Sequence, residues 1–343
     1  EGTAAHFMSS EALEQKKVTA SWLGCMIIVW SDVASRTRGT NWYGKDKIQT
    51  TATRRGYEVD HEMAGFVQNY VDAIHSRMEQ FRLRGAVSVE LLVEIRVEFS
   101  VFVGFDGQFG TSDAILLVEW PDGTMQVDVN DLKYGRGVRV DAADFELLED
   151  GTVERTLTDC RRGNKQMMIY ALGAYDQYQA LGDYTRASWC IHQPRLGHIS
   201  EAECDIGDLL TWAKDHMRPA AERAIMFLEN RHATFTLSDF TPGEKQCMWC
   251  KASGTCAAAA KRVFDTITGD FVDLDTDIAD QVAPAALDRI GHMTPEQLSA
   301  CMLLADFVDD VVKAWRARVE AKLFQNEPVP GFKLVDGKLG NRA

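Results

Sequence analysis

Ala114-Ile-Leu-Leu-Val-Glu-Trp120, Pro121-Asp-Gly-Thr124 and Met125-Gln-Val-Asp-Val-Asn-Asp-Leu132 read as two strands joined by a tight turn, and this hairpin decides the fold. Gly110-Thr-Ser-Asp113 leads into it, and Asp131-Leu-Lys133-Tyr-Gly-Arg-Gly137 leads out. Residues i and i+2 of a strand share a face, so Asp131 and Lys133 project together. Antiparallel pairing across the turn brings Asp113 beside Asp131. Two carboxylates so placed repel unless a divalent cation sits between them. A neighbouring ammonium can hold or polarise a water, or stabilise charge building on a phosphate. Metal-assisted phosphodiester hydrolysis needs that combination. An ordinary hairpin with solvated charges has the same spacing, and spacing alone leaves both readings open. Gly104-x-x-Gly107-x-x-Gly110 and Gly135-x-Gly137 match neither the P-loop nor the dinucleotide pattern.

Working outward, Val89–Phe99 alternates as a third strand. An amphipathic helix precedes it from about Asp60 to Phe81, its apolar stripe carried by Met63, Phe66, Val67, Tyr70, Val71 and Ile74. The first 20 residues favour helix, and residues 31–56 read as polar and turn-rich, with Arg36, Arg38, Arg54 and Arg55. Residues 141–165 read as an exposed insertion, acidic and then basic. Beyond it the expectation is a helix over Lys165–Leu181, a strand over Ala187–Gln193 and a helix over Ile206–Leu228. Thr294-Pro-Glu-Gln297 is an N-cap with Pro at the first helical position, opening a long helix to about Phe324. This order indicates a mixed α/β sandwich.

The chain has 343 residues and 45% hydrophobic content, enough for one large core or two modest ones. Charged residues at 26% argue against disorder. No run of about 18 uncharged apolar residues exists, so no membrane span is expected; Trp22–Trp30 is too short. Lys and Arg number 37 against 51 Asp and Glu, a formal charge of −14, which disfavours broad coating of nucleic acid but permits a local basic channel. Five of eight cysteines (Cys25, Cys160, Cys190, Cys204, Cys301) are scattered, as buried thiols of a reduced compartment are, and a cytoplasmic location is expected. Cys247-Met-Trp-Cys250-Lys-Ala-Ser-Gly-Thr-Cys256 has C-x2-C-x5-C spacing, which reads as metal ligation before disulfide. Asp273-x-Asp275-x-Asp277 lacks the Gly and Glu of a calcium loop, with Ile278 and Pro284 at those places.

Asp113, Asp131-x-Lys133 and Gln166-Met-Met-Ile-Tyr170, in that order, resemble the G-x-x-D, D-x-K and Q-x-x-x-Y motifs of RecB-like PD-(D/E)XK nucleases. Glu1-Gly-Thr-Ala-Ala-His6 resembles the helix that carries the metal-ligand His in that branch. Cys247, Cys250 and Cys256 are similar to the C-terminal part of the iron–sulfur staple of AddB and of CRISPR-associated exonucleases. The wider text, including Asp131–Gly137, Tyr170–Ala174, Gln193-Pro-Arg195, Ile199-Ser-Glu201, Pro242-Gly-Glu244 and Val329–Lys333, resembles a phage and prophage family of this type over nearly the whole chain.

The resemblance implies a restriction-endonuclease-like core, a mixed central sheet flanked by helices, over residues 1–240. A cysteine metal-cluster loop would follow over 241–265 and a helical extension over 266–343. It implies that His6, Asp113, Asp131 and the main-chain carbonyl of Leu132 bind Mg²⁺ or Mn²⁺. Lys133 would position the attacking water, and Gln166 and Tyr170, one helical turn apart, would orient Lys133 or contact the scissile strand. Arg136, Arg161, Arg162 and Lys165 are candidate phosphate contacts. The activity implied is a DNA exonuclease leaving a 5′-phosphate, working in the host cytoplasm beside a phage recombinase or single-strand-binding protein. An endonuclease or flap nuclease with the same site, and a DNA-binding module with a vestigial site, are the alternatives. The three thiolates admit a 4Fe–4S cluster whose fourth Cys lies upstream of residue 1, a zinc site, or an empty staple.

Overall fold

The structure, a computed structural model, describes residues 1–32, 37–42, 53–144, 156–157, 159–230, 234–247, 250–252, 255–268 and 295–334. Two compact units divide the chain, Glu1–Arg231 and His232–Ala343. Among the described residues no helix is long and apolar enough to cross a membrane.

The first unit is built on a five-stranded sheet in the order β4 (Ser88–Glu98), β5 (Phe109–Glu119), β6 (Thr124–Leu132), β7 (Asp183–Gln193) and β8 (His198–Asp205). All neighbours are antiparallel except β6 and β7, whose parallel pairing requires a long crossover. The one-turn α3 (Ser100–Val103) links β4 to β5, and helix α4 (Lys165–Tyr178) lies in that crossover. Asn164 caps it, its side-chain oxygen accepting from the Gln166 N–H at 3.1 Å. On the α4 side Val127, Val129, Met167, Met168, Leu172 and Trp189 form one apolar cluster. On the other side α1 (Gly2–Gln15) and α2 (His61–Leu83) pack Met8, Met63, Val67 and Ile74 against Ala114, Leu116, Val118 and Leu132.

This architecture is the expected mixed α/β sheet with flanking helices, and it has more strand than the sequence reading gave. Residues 31–56 are not turn-rich throughout. They contribute β2 (Thr37–Trp42) and β3 (Thr53–Glu58), which flank β1 (Met26–Asp32) in a separate antiparallel sheet. The partners across that sheet pair Ile27 with Trp42 and Tyr57, so few apolar residues suffice to anchor it. Cys25, expected among the buried thiols, is exposed; Cys160, Cys190 and Cys204 are buried. A second unread strand is β8, whose inward residues Ser200, Ala202 and Cys204 are small. The expected helix over Lys165–Leu181 holds to Tyr178 and ends in a tighter turn, Gln179–Leu181. The helix over Ile206–Leu228 comprises α5 (Ile206–Trp212), a π-helical turn at Ala213–Met217 and α6 (Arg218–Glu229). Asp273, Asp275 and Asp277 lie outside the described residues, as do residues 145–155 and 158 of the 141–165 insertion.

The α2-facing side of β6 is polar at its centre. Asp128, with no exposed surface, accepts from Arg77 Nε (2.7 Å) and Nη2 (2.6 Å), Asn130 Nδ2 (2.7 Å) and Ser188 Oγ (2.5 Å). Arg77 also donates to Glu201 on β8 at 2.5 Å. Burial alone would raise the Asp128 pKa, but the Arg77 charge and these hydrogen bonds outweigh it and hold the carboxyl below its ordinary value. Asn130 Oδ1 in turn meets His192 Nε2 at 3.1 Å. Burial, with Arg77 nearby, lowers the His192 pKa to about 4 and keeps the ring neutral.

Replacing Asp128 with Ala leaves Arg77 buried without its main partner and should lower unfolding free energy by about 3–5 kcal/mol. Arg77 and Asp128 together changed to Met and Leu should recover much of that loss. Urea unfolding of both variants checks this. The wild-type stability owed to Asp128 is fully present above its unfolded pKa near about 4 and is lost as pH falls through the lower native value.

Candidate active site

The β5–β6 ladder closes at Ala114 opposite Asn130, so Asp113 and Asp131 are the next residues outward on the two strands. Asp113 Oδ2 accepts the Leu132 N–H at 2.7 Å, and its Oδ1 lies 2.9 Å from His6 Nδ1 on α1. Lys133 and Asp131 do share a face: Lys133 Nζ is 3.2 Å from Asp131 Oδ1 and 3.0 Å from Oδ2. Gln166, in the first turn of α4, bridges the same pair. Its Nε2 donates to Asp131 Oδ1 at 3.0 Å, and its Oε1 accepts from Lys133 Nζ at 3.0 Å. The Lys133 backbone is pinned to β7, its N–H donating to the His192 carbonyl at 2.8 Å.

Tyr170 sits four residues beyond Gln166, with its ring against Gly110. A Cβ at that glycine would lie 2.4 Å from Tyr170 Cε1. Gly110 is therefore required for close approach and not for a special backbone angle. Gly173, on the same helix, also comes close to the strands, where a Cβ would lie 3.0 Å from the Glu98 carbonyl oxygen. These two contacts set how close α4, and with it Gln166 and Tyr170, rides over the sheet.

The electrostatics are those of crowded acids. Burial raises the Asp131 pKa, and the Asp113 charge raises it further against the pull of Lys133. Burial opposes protonation of His6, but its hydrogen bond to Asp113 and the charges of Asp113, Asp131 and Glu94 prevail, and its pKa is raised. Glu94 was not singled out in the sequence. Burial, then Asp113, pushes its carboxyl up to about 7. It has φ 51°, in the left-handed region, and falls between the ladder pairs Val93–Ala114 and Ile95–Ser112. The strand changes faces there: Leu91 and Val93 pack toward α1 and α2, while Ile95 and Val97 pack toward α4. Only an unusual backbone at an acidic residue marks this site, and strand alternation carries no trace of it.

The donor set fits a divalent cation: two carboxylates and an imidazole, and within the Asp131 carboxylate the buried Oδ2 lies near Lys133 but out of line for a hydrogen bond. Among the described residues no three such side chains close into a finished coordination shell. His6 and Asp113 bond to each other, and Asp131 bonds to Lys133 and Gln166.

The basic residues named from the sequence are distributed differently. Arg136 pairs with Glu62 at the start of α2. Arg161 lies on Asp159 at 2.7 Å, Arg162 donates to the Asp144 carbonyl at 2.8 Å, and Lys165 donates to the Gly163 carbonyl at 3.0 Å. These last three brace their own loop. Arg195, on the turn between β7 and β8, was missed as a site residue; its side chain stacks over Tyr134 at 4.8 Å. In the second unit Cys247 and Cys256 both pack against the apolar cluster of Ala259, Phe307 and Val311, and Cys250 is exposed. Cys256 Sγ accepts the Ala259 N–H at 3.5 Å.

Asp113→Asn should lower the His6 pKa, because the nearest of the charges that raise it is lost while burial still opposes protonation. An NMR titration of the His6 ring that stays at its wild-type midpoint would separate the two groups.

A family profile described as "Protein of unknown function (DUF2800)" matches residues 1–343, and the chain belongs to that family.

Proposed function

We propose that the chain is a metal-dependent deoxyribonuclease with a RecB-like core, acting as an exonuclease. One observation carries the reading. The Lys133 ammonium is held between Asp131 and Gln166 at hydrogen-bond distance, on strand ends that also bring up Asp113 and His6. A fixed ammonium beside paired acids is the arrangement that phosphodiester hydrolysis uses and that a solvated hairpin has no cause to build.

His6, Asp113, Asp131 and the Leu132 carbonyl would hold Mg²⁺ or Mn²⁺. When bound, the ion supplies Lewis acidity that lowers the pKa of water and offsets the phosphate charge. The protein's own groups do the rest. Lys133 has three donors; two are engaged by Asp131 and Gln166, which leaves one to meet a non-bridging phosphate oxygen as charge accumulates there. Gln166 fixes the rotamer of Lys133 and spaces it from Asp131, so the ammonium need not reorganise during the reaction. Asp131, whose pKa is raised by burial and then by Asp113, gains a favourable environment as positive charge enters the site. Tyr170, seated on Gly110 one turn from Gln166, offers its hydroxyl to the scissile strand. Water attacking phosphorus in line displaces the 3′ oxygen and leaves a 5′-phosphate.

The test is a time course on end-labelled linear duplex and single-stranded DNA with Mn²⁺, Mg²⁺ or EDTA. Metal-dependent loss in wild type should fall by about 10²-fold or more in Lys133→Ala, with fold and DNA binding retained. Release of the label first would mark an exonuclease and give its polarity. Internal cuts would mark an endonuclease, and binding without cleavage under any metal would mark a DNA-binding module.

We also propose that Cys247, Cys250 and Cys256 take an iron–sulfur cluster or zinc. The support is their spacing and the seating of two of them on one apolar cluster. Anaerobically purified protein should carry either iron and sulfide with visible absorbance or about one zinc per chain. Metal-free protein with unchanged thermal stability would end this proposal.

A further inference from the structure

Beyond the proposed catalytic cluster, on the α1–α2 side of β6, two guanidinium groups converge on one carboxylate. Glu62 Oε1 accepts from Arg136 and, at 2.8 Å, from Arg195 Nη2. Arg195 Nη1 donates to Glu1 Oε2 at 3.0 Å. The Arg195 side chain is nine-tenths buried, stacked on Tyr134, and its Nε has no hydrogen-bond partner. A planar fork held rigid in this way, its two terminal nitrogens now divided between two separate carboxylates, is shaped for the paired oxygens of one tetrahedral oxyanion. Arg136 is well exposed and Glu62 half exposed, so the carboxylate can swing out while the Arg195 fork stays in place.

We propose that Arg136 and Arg195 form a subsite for a backbone phosphate of the DNA strand, with Glu62 occupying that phosphate's place until DNA arrives. This rests on the nuclease reading and deepens it. Placement supports it: Arg195 is tied to Glu1, and His6 lies five residues further along the same helical segment, a rise of about 7.5 Å. Arg136 follows Lys133 by three residues on the segment leaving β6. In a chain of net charge −14, a strand is held only where cations meet, and each carboxylate here competes with it. The subsite carries no base-reading group, so it would fix the position of a strand and ignore its sequence.

Full-length protein, kept uncleaving with EDTA, is titrated against a fluorescein-labelled deoxythymidine oligonucleotide, and anisotropy is followed across a chloride series. Glu62→Gln should bind about threefold to tenfold more tightly, because two guanidiniums lose their internal competitor. Arg195→Gln should bind about tenfold more weakly, with a log–log salt slope shallower by about 0.7, the share of one phosphate contact on a single strand. Arg136→Gln, on an exposed side chain that should not disturb folding, should move the slope the same way. Unchanged affinity and slope in Glu62→Gln and Arg136→Gln, with metal-dependent cleavage intact, would make the cluster a structural clamp and overturn the subsite while the nuclease reading stands. Wild type that neither binds nor cleaves DNA would remove both. Inorganic phosphate at matched ionic strength is the remaining arm: if it raises the melting temperature of wild type but not of Arg195→Gln, and DNA affinity is equal in the two, the pair is a free-phosphate site and the DNA assignment falls.

Discussion

The register of β6 is the constraint on which the first unit depends. This strand is buried on both sides, and the two sides are chemically opposite. Val127 and Val129 enter the apolar layer under α4, while Gln126, Asp128 and Asn130 face α2 and the Arg77 guanidinium. A slip of one residue would drive Asp128 into the apolar layer and set valines against Arg77. An all-apolar strand would tolerate that slip far better. Fixing the register with a buried ion pair costs desolvation that a hydrophobic pair would not incur, and its return is uniqueness of alignment. The same alignment puts Asp131 and Lys133 on the α4 face beside Gln166, and leaves Asp113 opposite Asp131.

Much of the central architecture was legible because its signals are local. The Pro121–Thr124 turn, the apolar run before it and the stripe on α2 each follow from periodicities that a sequence displays directly. The pairing of Asp131 with Lys133 followed from the two-residue period alone. The small N-terminal sheet was hidden because Thr37-Arg-Gly-Thr-Asn-Trp42 and Thr53-Arg-Arg-Gly-Tyr-Glu58 hold almost no apolar alternation; their pairing to β1 is a tertiary fact. Strand β8 was hidden for a related reason, since Ser200, Ala202 and Cys204 are too small to announce a buried face. At the site, Glu94 and Arg195 were missed because their roles come from neighbours distant in sequence. Nothing in Leu-Val-Glu-Ile-Arg predicts a left-handed backbone at its glutamate.

The proposed catalytic cluster and the Arg–Glu cluster near it share a design. Both hold their charges in internal pairs: Lys133 with Asp131, His6 with Asp113, Arg195 with Glu1 and Glu62. Internal pairing keeps an acidic protein from collapsing its own functional charges onto solvent ions, and it orients each group before any ligand is present. On the proposed reading, a ligand would bind by exchange of partners.

Glu94 sets a limit on how far the fold could be stabilised without loss. A non-glycine residue in the left-handed region carries strain of about 1–2 kcal/mol, which Gly would relieve and Asn would reduce. The most direct thermostabilising change in β4 would therefore also delete the carboxyl that stands in the field of His6 and Asp113. At this one position relief of backbone strain and retention of the buried charge beside His6 and Asp113 would select different amino acids.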